Sequence, residues 1–206
     1  MLKIWGRPNS INVQKAMWAV GELGLAHERV DVGGPFGGLD TPEYLAKNPN
    51  ARIPTLEDGD LVLWESNVIV RYLAARYGAG SLAPADPALH ALADQWMDWQ
   101  QTTTLADMFV VFWGLIRTAP EDRNMAAIEK STANLADIMG RLDAHLADRD
   151  YVTGDAFSMG DIPVGATCYR YLALDIERPD LPNVQRYYDR LQEREPFRTH
   201  VMISLT

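Results

Sequence analysis

The sequence predicts a small α/β domain followed by an all-α domain, and two observations point to this class. In the first third of the chain, short apolar runs alternate with segments whose apolar residues recur every three or four positions, which is the pattern of strands and helices. After a stretch rich in Gly, Ala, Pro and Asp at residues 78–87, the chain shows only helical periodicity. We therefore expect a sheet domain over residues 1–80 and a helical bundle over residues 87–206.

The first domain has the predicted order β-α-β-(α)-β-β-α. Asp58-Gly59 is a dipeptide that commonly turns a hairpin, and it lies between two short apolar runs. The glycine-rich segment 33–38 is expected to lack regular structure. The predicted strands cover residues 2–5, 27–32, 53–57 and 61–64, and the predicted helices cover residues 11–23 and 66–77.

The second domain contains four predicted helices, each with apolar residues at spacings of three and four. Prolines separate or end these segments, at positions 120, 179, 182 and 196. The predicted helices cover residues 89–117, 121–146, 161–176 and 183–194.

Composition and charge exclude several classes of protein. The 206 residues include 19 Lys and Arg against 28 Asp and Glu, a net charge of −9, which argues against a protein that follows a nucleic-acid backbone. Hydrophobic residues make up 47% of the chain, too many for a disordered protein. The longest apolar run, residues 109–116, is shorter than the roughly 20 residues that a membrane span requires. With no signal-peptide pattern at the N-terminus, we expect a cytoplasmic protein that binds neither nucleic acid nor membrane.

Cysteine and histidine usage gives no sign of a metal centre. Cys168 is the single cysteine, so an intramolecular disulfide and a cysteine-rich metal site are both excluded. Its place in the middle of a predicted helix indicates a small buried side chain. The four histidines have no metal-ligand spacing, and we expect no metal.

Two polar residues at the start of the first helix are candidates for chemistry. Ser10 ends the loop of residues 6–10, and Asn12 begins the helix. In the structural alternative, Ser10 or Asn9 caps the helix. In the functional alternative, the hydroxyl or amide donates a hydrogen bond to the thiol of a ligand and lowers its pKa by stabilising the thiolate.

Pro54 and the pair Glu65-Ser66 are candidates for ligand binding. A proline within an apparent strand belongs at a sheet edge, at a bulge or in a cis peptide, and an edge strand is the plainer alternative. Ser66 lies where a helix begins, so it serves either as an N-cap or as part of an anion site made by the free amides of the helix. Glu65 beside it could pair with an ammonium group, so the two together could bind the charged end of an amino acid.

Aromatic residues at helical spacing mark a third candidate region, formed by Phe109, Phe112, Trp113 and Ile116 with Arg117 nearby. Such a stripe belongs either to the core or to the wall of a ligand pocket. A further motif, Ser158-Met159-Gly160-Asp161, matches a capping box at the start of a predicted helix. We interpret that motif as structural.

In combination, these segments resemble a cytosolic glutathione S-transferase of the bacterial branch near the theta, beta and nu classes. The resemblance covers nearly the whole chain, and three segments carry it. They are NPNARIPTL at residues 48–56, LWESNVIVRYL at residues 63–73 and YVTGDAFSMGDI at residues 151–162. The resemblance implies a thioredoxin-like first domain, a helical second domain, a homodimer, and reduced glutathione bound as co-substrate.

The resemblance also implies roles for the candidate residues. Pro54 is expected to be cis and to turn the backbone of Ile53 toward the cysteinyl residue of glutathione, as in an added strand. Ser66 is expected to bind the γ-glutamyl carboxylate and Glu65 its ammonium group. Arg52 or Lys47 could neutralise the glycyl carboxylate.

For the chemistry, the resemblance implies that Ser10 activates the thiol of glutathione, with Asn12 as an alternative or additional donor. Phe109, Trp113 and Arg117 are expected to line a pocket for an electrophilic small molecule. We therefore expect a glutathione transferase that acts in detoxification, although the sequence does not identify the electrophile. Two alternatives stay open, a glutathione-dependent disulfide reductase and a non-catalytic interaction protein with the same fold.

Overall fold

A four-stranded mixed sheet forms the N-terminal part of the structure, a computed structural model that describes residues 1–206. The strands lie in the order β2-β1-β3-β4, with β1 parallel to β2 and antiparallel to β3, and β3 antiparallel to β4. This sheet with its helices is a thioredoxin-like domain, which confirms the predicted fold. The strand bounds are β1 (Leu2–Trp5), β2 (His27–Val30), β3 (Thr55–Asp58) and β4 (Leu61–Trp64).

Three helices accompany the sheet: α1 (Ile11–Glu22), α2 (Pro42–Lys47) and α3 (Ser66–Tyr77). Helix α1 contacts α3 and also the helical part of the chain, so most of its length is buried. Trp18 of α1 is fully buried and packs against Phe157 and Phe197, with ring centroids 5.5 and 4.7 Å away. One hydrophobic core therefore continues from the sheet domain into the helical domain.

The rest of the chain is helical, as predicted. The predicted helix 89–117 is a helical segment in which two π-helical stretches, Gln100–Thr104 and Trp113–Arg117, follow regular turns. None of the helices is long and apolar enough to cross a membrane. The helices are α4 (Pro87–Trp99), α5 (Leu105–Phe112), α6 (Met125–His145), α7 (Asp161–Ala173), α8 (Pro182–Gln192) and α9 (Glu195–His200).

Some local predictions were wrong. Pro196 was expected to separate helices, but it lies in the first turn of α9, where a proline forfeits no hydrogen bond because that amide has no helical partner. The glycine-rich segment 33–38 was expected to be irregular, yet it contains one 3₁₀ turn at Gly34–Phe36. Helix α6 begins at Met125 rather than at residue 121, because Asn124 accepts a hydrogen bond from the Ala127 amide at 3.1 Å and caps it there.

Candidate active site

The loop between β1 and α1 presents an unengaged hydroxyl. Ser10 occupies the N-cap position of α1 with extended backbone angles, but its side chain makes no capping hydrogen bond. Its Oγ bonds to no other group of the chain, and the residue is half-buried. Ser10 therefore occupies the predicted N-cap position, but the prediction that its hydroxyl caps the helix is wrong. The hydroxyl is free to donate to a ligand at the helix N-terminus.

Asn12 faces a different neighbour. Its Oδ1 accepts a hydrogen bond from Ser66 Oγ at 3.2 Å, so the side chain links α1 to the start of α3. This contact engages the amide oxygen of Asn12, while Ser10 keeps its hydroxyl free. The amide nitrogen of Asn12, which is its hydrogen-bond donor, makes no hydrogen bond within the chain, so both residues keep a free donor and the choice between them stays a prediction.

The Ile53–Pro54 peptide bond is cis, as predicted. Pro54 directly precedes β3, which pairs with strands on both sides, so the edge-strand alternative is wrong. The backbone N–H and C=O of Ile53 bond to no group of the chain. The preceding carbonyl, of Arg52, accepts hydrogen bonds from Tyr44 Oη at 2.6 Å and Asn48 Nδ2 at 2.9 Å, which anchor the segment.

Close packing brings this segment beside the loop before α1. Gly6 has φ of +151°, and a Cβ there would lie 3.3 Å from Ile53 Cβ and 2.4 Å from Val13 Cγ2. A side chain at position 6 would separate the two segments. Gly6 therefore allows Ile53 to lie against the loop that carries Ser10.

The start of α3 has the geometry of an anion site. Glu65 is exposed and has φ of +71° and ψ of 111°, a conformation that costs a non-glycine residue about 1–3 kcal/mol. Glu65 is the N-cap position but makes no side-chain cap, and Ser66, 6% exposed, is the first helical residue. The alternative in which Ser66 caps the helix is therefore wrong. The first amides of α3 keep their donors for a ligand.

Of the two predicted cations for the glycyl carboxylate, only Lys47 is engaged. Its Nζ lies 3.4 Å from Glu57 Oε1 and 5.3 Å from the centroid of the Trp5 ring. Arg52 is exposed, and its guanidinium makes no hydrogen bond or ion pair within the chain.

The predicted pocket wall lies outside the core. Phe109 and Trp113 are 55% and 48% exposed, and their rings stack with centroids 5.3 Å apart. The core alternative is therefore wrong for these two residues, whereas Phe112 between them is buried. Arg117 lies 5.3 Å above the Phe112 ring and donates from Nη2 to the Leu205 carbonyl at 2.9 Å.

Comparisons with known proteins agree on the family. Residues 1–75 match the model of the glutathione S-transferase N-terminal domain, and residues 125–190 match that of the C-terminal domain. The Escherichia coli protein named glutathione S-transferase GstB is 41% identical over 208 residues, and the match covers 100% of both chains. The chain belongs to the glutathione S-transferase family.

Solved structures of this family align along the entire chain. The theta-class glutathione S-transferase of Xanthomonas axonopodis pv. citri, solved with glutathione bound, is 48% identical with a TM-score of 0.97, and the alignment covers 100% of this chain and 99% of that one. Glutathione S-transferase 3 of maize is 36% identical over 78% of this chain and 73% of its own. The Escherichia coli and Xanthomonas relatives confirm the predicted family and its bacterial branch.

The single cysteine of this glutathione S-transferase takes no part in the candidate site. Cys168 is fully buried in α7, as predicted, and burial raises the pKa of its thiol well above the usual range. No group of three or more His, Cys, Asp or Glu side chains is placed to hold a metal ion.

A buried lysine beneath α3 was not predicted from the sequence. Lys15 of α1 is 2% exposed, and its Nζ donates to Asn67 Oδ1 at 3.0 Å and to Gln100 Oε1 at 3.3 Å. Burial lowers its pKa to about 7, against the opposing effect of Glu65. The amine thus joins both domains of this transferase directly behind the candidate γ-glutamyl site.

The buried amine predicts a pH dependence of stability. The pKa of Lys15 is about 7 in the folded chain and about 10.4 when unfolded, so from pH 7 to 10 the unfolded chain binds more protons. The free energy of unfolding should therefore rise with pH in this window and be lowest below pH 7, where both states are protonated. Urea unfolding at pH 7, 8 and 9 measures this dependence. Between pH 7 and pH 9 the free energy of unfolding should rise by about 2 kcal/mol less in Lys15→Met than in the wild type. Lys130→Met, on an exposed lysine, should match the wild type, and parallel curves for Lys15→Met and wild type would contradict the assignment.

Proposed function

We propose that this transferase binds reduced glutathione, holds its thiol as the thiolate, and transfers it to an electrophilic small molecule in a detoxification reaction. The observation that carries the proposal is that the Ser10 hydroxyl and the backbone N–H and C=O of Ile53 are all unengaged, on two segments that Gly6 allows to pack closely. The Ile53 backbone would pair with the cysteinyl residue as an added strand does. That pairing would direct the thiol toward Ser10.

In this proposal each domain binds one of the two reactants. Residues 1–80 bind glutathione, with Ser66 and the amides of α3 on the γ-glutamyl carboxylate and Glu65 on its ammonium group. Arg52 or Lys47 takes the glycyl carboxylate. Residues 87–206 contribute the electrophile pocket, where Phe109 and Trp113 offer an exposed apolar wall. Ser10 donates to the thiolate, with Asn12 as an alternative or additional donor, and the amide oxygen of Asn12 also orients Ser66.

The reaction balances without any further reactant. The thiol proton leaves to solvent, the thiolate sulfur forms a bond to the electrophilic carbon, and the leaving group departs with the electrons of its own bond. A free cysteine thiol has a pKa of about 8.5, so only a few per cent is ionised at neutral pH. Lowering the pKa by one to two units makes the thiolate about tenfold more abundant, and holding both reactants together adds to the rate.

The test is a pH titration of bound glutathione, followed by the ultraviolet absorbance of the thiolate. We expect the thiol pKa of the bound tripeptide to lie at least one unit below that of free glutathione, and thioether to form with a generic aryl halide. An unshifted pKa at saturation would contradict the proposal and favour a binding protein. A shifted pKa with turnover of a small disulfide but of no halide would favour the disulfide reductase.

We also propose that the chain works as a homodimer in the cytoplasm. In support, large apolar side chains of the β4, α3 and α4 region are about two-fifths exposed in the single chain, as expected of a surface that a second copy covers. They are Leu61, Trp64, Val68, Leu89 and Leu92.

A further inference from the structure

Three arginines lie close together at the loop that carries Ser10, and one of them, Arg7, belongs to that loop. Arg170 of α7 donates from Nη2 to the Asn9 carbonyl at 3.4 Å, and Arg7 donates from Nε to Asn9 Oδ1 at 3.0 Å. Arg170 and Arg117 both lie over the ring of Phe112, at 3.9 and 5.3 Å from its centroid. We name these three residues the arginine cluster.

The cluster has no acidic partner within the chain. Arg7, Arg117 and Arg170 form no ion pair with any carboxylate, although acidic residues outnumber basic ones by 28 to 19. Each guanidinium has five N–H donors and makes one hydrogen bond, in each case to a neutral oxygen. A negative group is therefore missing from an arrangement that otherwise brings three positive charges together.

The burial of Arg170 makes the missing counter-ion energetically unfavourable. Arg170 is only 5% exposed, and its Nε has no hydrogen-bond partner. Burial, together with the charges of Arg117 and Arg7, lowers its pKa to about 9. A buried cation without a counter-ion destabilises a fold, whereas a bound anion would offset both the desolvation and the mutual repulsion.

We propose that the arginine cluster is an anion subsite of the electrophile pocket, and that the natural electrophile carries a carboxylate. This inference rests on the proposed transferase function and names its substrate class. The planar fork of a guanidinium fits a carboxylate with two parallel hydrogen bonds. The cluster contacts Asn9, the neighbour of Ser10, and Phe112, the neighbour of Trp113, so an anion there would hold an electrophile close to both the thiolate donor and the helical segment of the predicted pocket.

A second source of the same chemistry is the glycyl carboxylate of glutathione. The cluster lies on the Ser10 side of the site, whereas the free cation Arg52 adjoins the Ile53 segment and Lys47 lies beside Glu57. The position of the cluster near the reacting sulfur favours the electrophile. The test separates the two sources by its effect on the affinity for glutathione.

The test compares two electrophiles that differ in one charge, 4-chloro-3,5-dinitrobenzoate and its carboxamide. In Arg117→Met we expect the ratio of kcat/KM for the carboxylate over that for the carboxamide to fall about tenfold, since one charge-assisted contact is lost. Arg141→Met removes an exposed arginine of α6 and should leave the ratio unchanged. Arg170→Lys keeps the buried charge without the planar fork and should lower the ratio as well.

Two outcomes would overturn the inference. One is an unchanged ratio in both cluster variants when thermal unfolding shows that they are folded. The other is a KM for glutathione that rises equally with both electrophiles, which would assign the cluster to the glycyl carboxylate.

A binding measurement keeps the inference separate from the proposed function. Calorimetry of 3,5-dinitrobenzoate and 3,5-dinitrobenzamide, which lack the leaving group, follows binding to the chain saturated with S-methylglutathione. If the wild type binds the benzoate more tightly than the benzamide and Arg117→Met loses this preference, the anion subsite is supported even if no thioether forms. Only the transferase proposal would then fail. Equal binding of both compounds would overturn the subsite even if thioether formation were fast.

Discussion

Replacing Ser10 by alanine is expected to lower kcat for an aryl halide about 10- to 100-fold. The hydroxyl of Ser10 makes no hydrogen bond within the chain, so its removal costs the fold little and affects chiefly the ligand. A hydrogen bond to a charged group contributes about 1.5–3 kcal/mol, which corresponds to an effect of this size. The ultraviolet titration of bound glutathione should show the thiol pKa return toward its free value by one to two units, because each unit corresponds to a tenfold change in ionisation.

Ser66→Ala provides a matched control, since it also removes a serine hydroxyl, but at the opposite end of the proposed tripeptide site. It should weaken the binding of S-methylglutathione and leave the thiol pKa of saturated glutathione in place. Asn12→Ala should resemble Ser66→Ala, because the two side chains share a hydrogen bond. A normal pKa in Asn12→Ala together with a depressed pKa in Ser10→Ala would contradict the assignment and make Asn12 the thiolate donor.

The elements of the fold were predictable where local chemistry sets their limits. The predicted strand at residues 2–5 and the predicted helix at residues 66–77 have the observed bounds, β1 (Leu2–Trp5) and α3 (Ser66–Tyr77). Apolar periodicity ends sharply at both, and glycine follows each of them. Helix α9 was missed because the rule that proline ends helices does not distinguish an ending from a first turn.

The site was predictable only as far as its residue types. Local patterns made Ser10, Pro54, Glu65 and Ser66 candidates and the family resemblance predicted their roles, but the spacing of Phe109 and Trp113 fits a core helix equally well. Their exposure depends on which face of the helical segment packs inward, and that is set by contacts distant in the sequence. The cluster of Arg7, Arg117 and Arg170 is likewise set by contacts distant in the sequence. No sequence pattern indicates that three separated arginines contact the Phe112 ring or the loop that contains Asn9.

Lys15 shows why a buried charge is hard to foresee. It lies in α1 among apolar residues, where a single lysine ordinarily extends to solvent. Its burial follows from the docking of the helical domain, which supplies Gln100 as a partner for the amine. Gln14 beside it is buried as well, so the helix is covered on more than one face, and composition alone does not separate such a helix from an exposed one.

The motif that precedes α7 is a buried hydrogen-bond network around Asp161. The carboxylate accepts from the backbone amides of Val152 at 2.9 Å and Ser158 at 2.8 Å. It also accepts from the hydroxyls of Ser158 at 3.2 Å and Tyr187 at 3.1 Å. The predicted backward bond of the capping box is thus present, and Ser158 Oγ accepts in turn from the Gly160 amide at 3.3 Å. One side chain therefore joins the loop before α7, the helix itself and α8.

Asp161→Ala is expected to lower the free energy of unfolding by about 4 kcal/mol, because it leaves two buried amides and the buried hydroxyl of Ser158 without their acceptor, while the Tyr187 phenol keeps only the backbone carbonyl of residue 161. Burial raises the pKa of Asp161 to about 6, so urea unfolding at pH 7.5 compares the ionised wild type with the variant. Asp155→Ala removes an exposed carboxylate from the same loop and should change stability by less than about 0.5 kcal/mol. A loss below 1 kcal/mol for Asp161→Ala would mean that water replaces the carboxylate and that the loop before α7 is held by its apolar contacts. The larger loss would make this capping box, rather than the apolar contacts of the loop, the chief determinant of how α7 docks against α8.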